Sequence, residues 1–147
     1  KLKLLMAGRG PNQYLLKNYI KKNKLSKSVK FINFLDNPYP FMKMSDVFIL
    51  SSNFEGLPNV LLESQTLKLP IISSNCPTGP REILLNGKLG LLFKLNNQKD
   101  LEKKIIYSYK NRNLLKKFAK EGYKFLYRFN ESSNLSSYYN VIKKYLV

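Results

Sequence analysis

The sequence predicts an α/β fold, a doubly wound parallel sheet followed by closing helices, and three observations predict it. The strand-like runs are apolar on both faces without alternation, the pattern of a parallel sheet covered by helices on both sides. The segments between those runs are long enough for crossover helices. From Asn97 onward only helical periodicity remains, with apolar positions three and four residues apart.

Each element follows in order. "LKLLMAG" (2 to 8) reads as the first strand, and Gly10-Pro11 opens a helix over 12 to 23. "VKFIN" (29 to 33) is the second strand, followed by a short helix at 39 to 45. "DVFILSS" (46 to 52) is the third, and it leads into a helix over 58 to 68. Pro58 suits the first helical position there, because its missing N–H would have no partner in any case. "LPIISSN" (69 to 75), a helix at 80 to 86 and "LGLLF" (89 to 93) complete the alternation. "QKDLEKKIIYSYKN", "RNLLKKFAKEGYKFLYRF" and "NLSSYYNVIKKYLV" predict three closing helices. Gly122 interrupts the second at modest cost, and Asn130 to Ser133 is the expected break before the third. With no internal repeat and no low-complexity linker, residues 1 to 147 are expected to form one domain, 97 to 147 being its closing helices. A strand that begins at Leu2 starts abruptly, so the chain is expected to have been cut from something larger.

Composition narrows the chemistry. A length of 147 residues with 44% apolar and 13% aromatic content supports a globular core. There is no histidine and a single cysteine, Cys76, which removes Ser-His and Cys-His catalysis, a zinc ligand set and any internal disulfide. No apolar run approaches the roughly eighteen residues that span a bilayer, and the first residues break at glycine too early for a signal peptide, so the chain reads as soluble and cytoplasmic. The net charge of +17, from 26 basic and 9 acidic residues, points to phosphates of nucleotides, nucleic acid or anionic lipid. Lysines decorating solvated helix faces explain it equally well. Lys116, Lys117, Lys120 and Lys124 have helical spacing and would form one stripe, worth about 1 kcal/mol per residue beside an anionic membrane.

In open parallel sheets ligands bind beyond the carboxyl ends of the strands. Four segments lie there, Gly8 to Pro11, Phe34 to Asn37, Ser51 to Pro58 and Asn75 to Arg81, and they are expected to converge on one edge. "GRGP" lacks the third glycine of a dinucleotide fingerprint, no Walker-type Gly-Lys-Ser/Thr occurs, and a tight turn is sufficient reason for its glycines. "NFEGLPNVLLES" (53 to 64) is more informative. A helix opening at Pro58 leaves the Asn59 and Val60 N–H groups without intrahelical partners at the positive end of the dipole, where anions bind. Gly56 lets backbone approach a ligand without a Cβ in the way. Glu55 precedes the helix at the strand end. Glu63 lies one turn beyond Asn59, and its four-residue neighbours Asn59 and Leu67 offer no positive charge. A carboxylate on a helix carrying Val60, Leu61, Leu62 and Leu67 needs hydrogen-bond donors, and ligand hydroxyls supply them. Singly, Glu63 could be solvated or satisfied by backbone, and Glu55 a loop residue near the helix dipole. Together they describe a nucleotide-sugar site, with Glu63 for ribose, the helix start for the diphosphate and Glu55 for the sugar.

"MSDVFILSSNFEGLPNVLLESQTLKLPIISSNCPTGPREIL" closely resembles the C-terminal, donor-binding domain of family 4 glycosyltransferases of the GT-B fold, the glycosyl transferases group 1, marked by two glutamates separated by seven residues. "LLMAGRGP", "VKFINFLDNPYPFMKMSD" and "GKLGLLF" extend the likeness over nearly the whole chain. The resemblance implies a Rossmann-like sheet and transfer of a sugar, with retention, from a UDP- or GDP-linked donor to a glycan or lipid-linked acceptor of a surface polysaccharide or lipopolysaccharide. It implies no metal and no cofactor, in keeping with Asp36, Asp46 and Asp100 being far apart. Carried onto this sequence, it gives Glu55 the donor sugar's hydroxyls and the reacting face. It gives backbone around Gly56, Leu57, Pro58, Asn59 and Val60 the diphosphate, Glu63 the ribose, and the main chain at Leu35 the base edge. The lysine stripe, rather than the resemblance, suggests peripheral contact with the inner face of an anionic membrane, and no nucleic-acid partner is expected. The family's Arg and Lys pair for the leaving diphosphate and its acceptor-binding domain have no counterpart here, since Arg9 sits one strand too late. Arg81 could approach the crevice or start its helix from the surface. The chain is therefore expected to bind donor weakly and to be inactive alone. Two rivals stay open: a nucleotide-sugar epimerase or phosphorylase of similar fold, which would lean on histidines or a cofactor lysine, and a basic nucleic-acid-binding module resting on charge alone.

Overall fold

Each apolar run becomes a strand and every ladder is parallel. The computed structural model describes residues 2 to 146, with strands β1 (Leu4–Ala7), β2 (Val29–Ile32), β3 (Phe48–Leu50), β4 (Ile71–Ser74) and β5 (Leu91–Phe93). The strands are shorter than the runs that predict them, and the end residues they lose are mostly polar, glycine or proline, among them Gly8, Asn33, Asp46, Ser51, Pro70 and Gly90, which belong to the turns. The fold is α/β and parallel as expected, with the ladders falling into two groups, β1-β2 and β3-β4-β5. The groups belong to two compact units, Lys1–Phe41 and Met42–Val147.

In the first unit, α1 (Gln13–Lys22) connects β1 to β2, and Leu4 pairs with Val29 through to Ala7 with Ile32. β1 departs from the expectation of two covered faces: Leu4 is 45% exposed and Leu5 36%. Two strands and one helix supply too few layers to bury both faces of a sheet within this unit.

The second unit is built on β4, whose four residues are all buried between β3 and β5. Helix α2 (Tyr39–Lys43) spans the boundary between the units and ends two residues before its expected limit. The core joins Leu50, Leu61, Ile71, Ile83, Leu84 and Leu89 from β3, β4, α3 (Asn59–Thr66), α4 (Pro80–Ile83) and the turn after it. Two serines inside β4 break the apolar pattern without leaving polar groups unsatisfied: the Ser73 hydroxyl donates to the Ser74 carbonyl at 3.1 Å and the Ser74 hydroxyl to the Ser52 carbonyl at 2.6 Å. α4 stops short of 86 because Leu85 and Asn86 take φ of 46° and 55°, turning the chain through a short 3₁₀ segment, Leu85–Gly87.

The helix expected over 58 to 68 needs correction at both ends. Pro58 has ψ of 93°, so it is the N-cap rather than the first helical residue, and the helix begins at Asn59. It ends at Thr66, and Lys68 with φ of 54° prevents continuation. The closing helices are α5 (Gln98–Lys110), α6 (Arg112–Lys124) and α7 (Glu131–Lys143), the last two separated by a 3₁₀ turn, Phe125–Phe129. Asn97 caps α5, its side-chain oxygen accepting from the Asp100 N–H at 2.9 Å. Gly122 now has a reason: a Cβ there would lie 3.0 Å from Nε2 of the buried Gln65, so glycine lets α6 pack closely on α3 without displacing that side chain. Lys116, Lys117, Lys120 and Lys124 are all exposed along α6, with Lys124 paired to Glu121 at 2.9 Å.

Candidate functional site

Parallel pairing of β3 with β4 aligns Leu50 with Ser73, so the chain leaves both strands side by side at their carboxyl ends. The loop after β3 runs through Glu55, Gly56 and Leu57 to Pro58; the loop after β4 runs through Cys76, Thr78 and Gly79 to α4. The second loop clasps the first. The Thr78 hydroxyl donates to the Glu55 carbonyl, and the Gly56 carbonyl lies 3.4 Å from it. Thr78 and Gly79 both hold positive φ, 58° and 46°, and a Cβ on Gly79 would overlap the Gly56 carbonyl oxygen and Pro58 Cδ. Two of the four post-strand segments are thereby brought together.

The clasp fixes the start of α3. Pro58 is buried and Val60 packs against the core, while Gly56, Leu57 and Asn59 stay exposed, Leu57 at 50%. Leu61 is the first residue whose N–H turns back into the helix, bonding the Pro58 carbonyl at 2.9 Å. The amides of Asn59 and Val60 precede it at the positive end of the dipole, beside a turn whose outer side is open. A Cβ on Gly56 would meet nothing within 4 Å, so the space beside Gly56 is open.

Glu55 and Glu63, at either side of that helix start, are both half-buried. Among the described residues neither carboxylate has a hydrogen bond or an ion pair, in a chain with 26 basic residues. Carboxylates that keep part of their surface open and have no donor from the protein are free to accept from ligand hydroxyls in place of water. Arg81 is exposed, its Nε held by the Asn75 side-chain oxygen at 2.6 Å.

Leu35 lies in the first unit, half-buried, three residues beyond β2. There the other two post-strand segments meet. The Gly8 N–H donates to the Ile32 carbonyl at 3.2 Å, Gln13 Nε2 donates to Asn33 Oδ1 at 3.0 Å, and the Arg9 guanidinium lies 5.7 Å from the centre of the Phe34 ring. Sequence reasoning missed Thr78 and Gly79 as the parts that hold the Glu55 loop. The Gly79-Pro80 dipeptide signals a turn, yet nothing local tells which backbone the turn will touch.

Residues 1–125 match the family of glycosyl transferases group 1. The O-antigen biosynthesis glycosyltransferase WclY of Escherichia coli is 37% identical over 142 residues, covering 96% of this chain and 38% of that protein. The N-acetylgalactosamine-N,N'-diacetylbacillosaminyl-diphospho-undecaprenol 4-alpha-N-acetylgalactosaminyltransferase of Campylobacter jejuni is 32% identical over 100 residues, 68% of this chain and 27% of its own length. The chain thus spans well under half the length of these curated relatives. Among solved structures, Anabaena HepE in complex with UDP superposes with a TM-score of 0.83 at 17% identity, over 97% of this chain and 41% of HepE. That likeness shows the fold, that of GT-B glycosyltransferases.

Proposed function

Because the chain belongs to the glycosyl transferases group 1 family, we propose that it is the donor-binding part of a glycosyltransferase that uses a nucleotide-diphosphate sugar, UDP- or GDP-linked. The sugar passes with retention to a glycan or lipid-linked acceptor. The observation that carries this reading is the pair of half-buried, unpartnered carboxylates on either side of an open helix start. HepE's complex with UDP supports the nucleotide, and the names of the E. coli and C. jejuni relatives support an O-antigen or polyprenol-linked acceptor.

In this reading the Asn59 and Val60 amides and the α3 dipole take the diphosphate, and they stabilise the charge that builds on it as the glycosidic bond breaks. Glu63 holds the ribose hydroxyls. Glu55 grips the donor sugar and presents its reacting face, so that positioning supplies much of the rate. For Leu35, in the first unit, the same reading assigns main-chain contacts to the base. The roles need neither a metal nor a cofactor from this chain.

Glu63→Gln is the direct test. It keeps shape and removes charge, so a charge-assisted hydrogen bond of roughly 1.5–3 kcal/mol is lost and UDP affinity falls about 10- to 100-fold. Isothermal titration of both proteins with UDP reads the change; an unaltered dissociation constant removes Glu63 from the site.

Peripheral attachment to the anionic inner face of a membrane, on the cytoplasmic side, belongs to the same reading. It is supported by the exposed lysines along α6 and by the polyprenol-linked substrate in the C. jejuni enzyme's name. No helix among the described residues is long and apolar enough to cross a membrane. Co-sedimentation with phosphatidylglycerol vesicles is expected at low salt and is lost as salt screens the attraction. Equal binding to neutral vesicles counts against it.

A further inference from the structure

A cleft of about 270 Å³ opens at the carboxyl ends of β3, β4 and β5. Neither Glu55 nor Glu63 lines it. Its rim carries Ser51 and Asn53 from the loop after β3, and Asn96 and Gln98 from the segment after β5, above a floor that includes Phe93 and Leu101. Among the described residues none of these four rim side chains makes a hydrogen bond within the protein. Their polar neighbours do: the Ser74 hydroxyl is held by the Ser52 carbonyl at 2.6 Å and the Asn97 side-chain oxygen by the Asp100 N–H at 2.9 Å. No ionisable side chain lines the cleft, although 24% of the chain is Asp, Glu, Lys or Arg.

These features define a ligand by elimination and by fit. Carboxamides and a hydroxyl both donate and accept, so they match hydroxyl and acetamido groups, which also do both. The absence of charge on the walls offers no compensation for burying an ion. An apolar floor beneath a polar rim matches a pyranose ring, with its C–H face and its border of hydroxyls. The volume lies just below the roughly 300–1,000 Å³ of sites for drug-sized ligands, the size for one ring rather than a chain. Asn53 stands two residues before Glu55 on one loop, so a ring held here lies near the carboxylate assigned to the donor sugar.

We infer that this cleft is a subsite for one neutral sugar residue of the acceptor, resting on the glycosyltransferase reading above. Ser51, Asn53, Asn96 and Gln98 read its hydroxyl or acetamido groups, and the floor takes its apolar face. The subsite orients the acceptor from the donor-binding side.

Nuclear magnetic resonance of the labelled chain tests it, because the side-chain NH₂ groups of Asn53, Asn96 and Gln98 give their own signals. The probes are methyl glycosides of neutral hexoses and N-acetylhexosamines, inorganic phosphate, and UDP. At least one glycoside is expected to shift all three side-chain signals at millimolar concentration, while phosphate leaves them unchanged. The double substitution Asn53→Ala and Gln98→Ala weakens that glycoside on the order of tenfold and leaves UDP affinity as it was. No glycoside response, a response to phosphate instead, or an undiminished response in the double variant overturns the assignment. The UDP arm is independent. UDP shifts at the Asn59 and Val60 amides without any glycoside response sink the subsite and spare the donor reading. A glycoside response with silent Asn59 and Val60 amides supports sugar binding in the cleft and removes the donor reading.

Discussion

Gly79→Ala is expected to destabilise the second unit by about 2–5 kcal/mol, combining left-handed backbone strain with an overlap that cannot relax. Gly79 holds φ of 46° and ψ of −71°, and the new methyl group would collide with the Gly56 carbonyl oxygen and Pro58 Cδ. Neither obstacle is the free end of a flexible side chain. Relief requires the Glu55–Pro58 loop to move away from the loop after β4, breaking the Thr78 hydrogen bond to the Glu55 carbonyl. The start of α3 would move with it, so UDP affinity should fall even where the protein remains folded. Urea unfolding gives the stability and titration with UDP the affinity. Gly56→Ala is the control, because its Cβ meets no protein atom within 4 Å, and its unfolding midpoint should stay near that of the parent. An unchanged midpoint for Gly79→Ala would mean that the two loops are not clasped as described.

Glu55→Gln, placed in the complete enzyme, is expected to lower the rate of sugar transfer on the order of 100- to 1,000-fold, the scale seen when one preorganised polar contact to a transition state is removed. UDP affinity should change less than about twofold, because in the proposed arrangement Glu55 touches the sugar and not the nucleotide. Stability should also hold: the Glu55 carboxylate has no partner among the described residues, so neutralising it orphans nothing. The comparison with Glu63→Gln carries the information, since one variant loses turnover and the other loses nucleotide. Equal losses of bare UDP affinity in both would defeat the division of roles. Together with Gly79→Ala, the pair separates damage to the loop that carries Glu55 and leads into α3 from damage to the carboxylates themselves.

Much of the fold was legible because its signals are local. Ile71 and Ile72 sit in a run without alternation, and β4 is buried on both faces. Three- and four-residue spacing after Asn97 marks three helices, but the break expected over Asn130 to Ser133 comes earlier: α6 ends at Lys124, a 3₁₀ turn follows over Phe125–Phe129, and α7 already begins at Glu131. The limits of elements were less legible. Nothing near Pro58 distinguishes an N-cap from a first helical residue, and only its ψ of 93° decides. β1 reads like β4 in sequence, yet Leu4 and Leu5 stay exposed in a unit of two strands and one helix. Gly122 reads as a modest cost to its helix, and only the packing of Gln65 against it supplies the reason.

The sequence by itself determined the order of strands and helices and the placing of Glu55 and Glu63 around one helix start, because side-chain periodicity and the spacing between two residues of one segment survive without any partner. Only the tertiary structure decided what holds that segment and what opens beside it. The Thr78 hydroxyl reaches the Glu55 carbonyl across 23 residues, and the cleft joins Asn53 to Gln98 across three strands. Both depend on the register that sets Leu50 against Ser73 and Ser74 against Phe93. Register is a property of paired strands, and no single segment carries it.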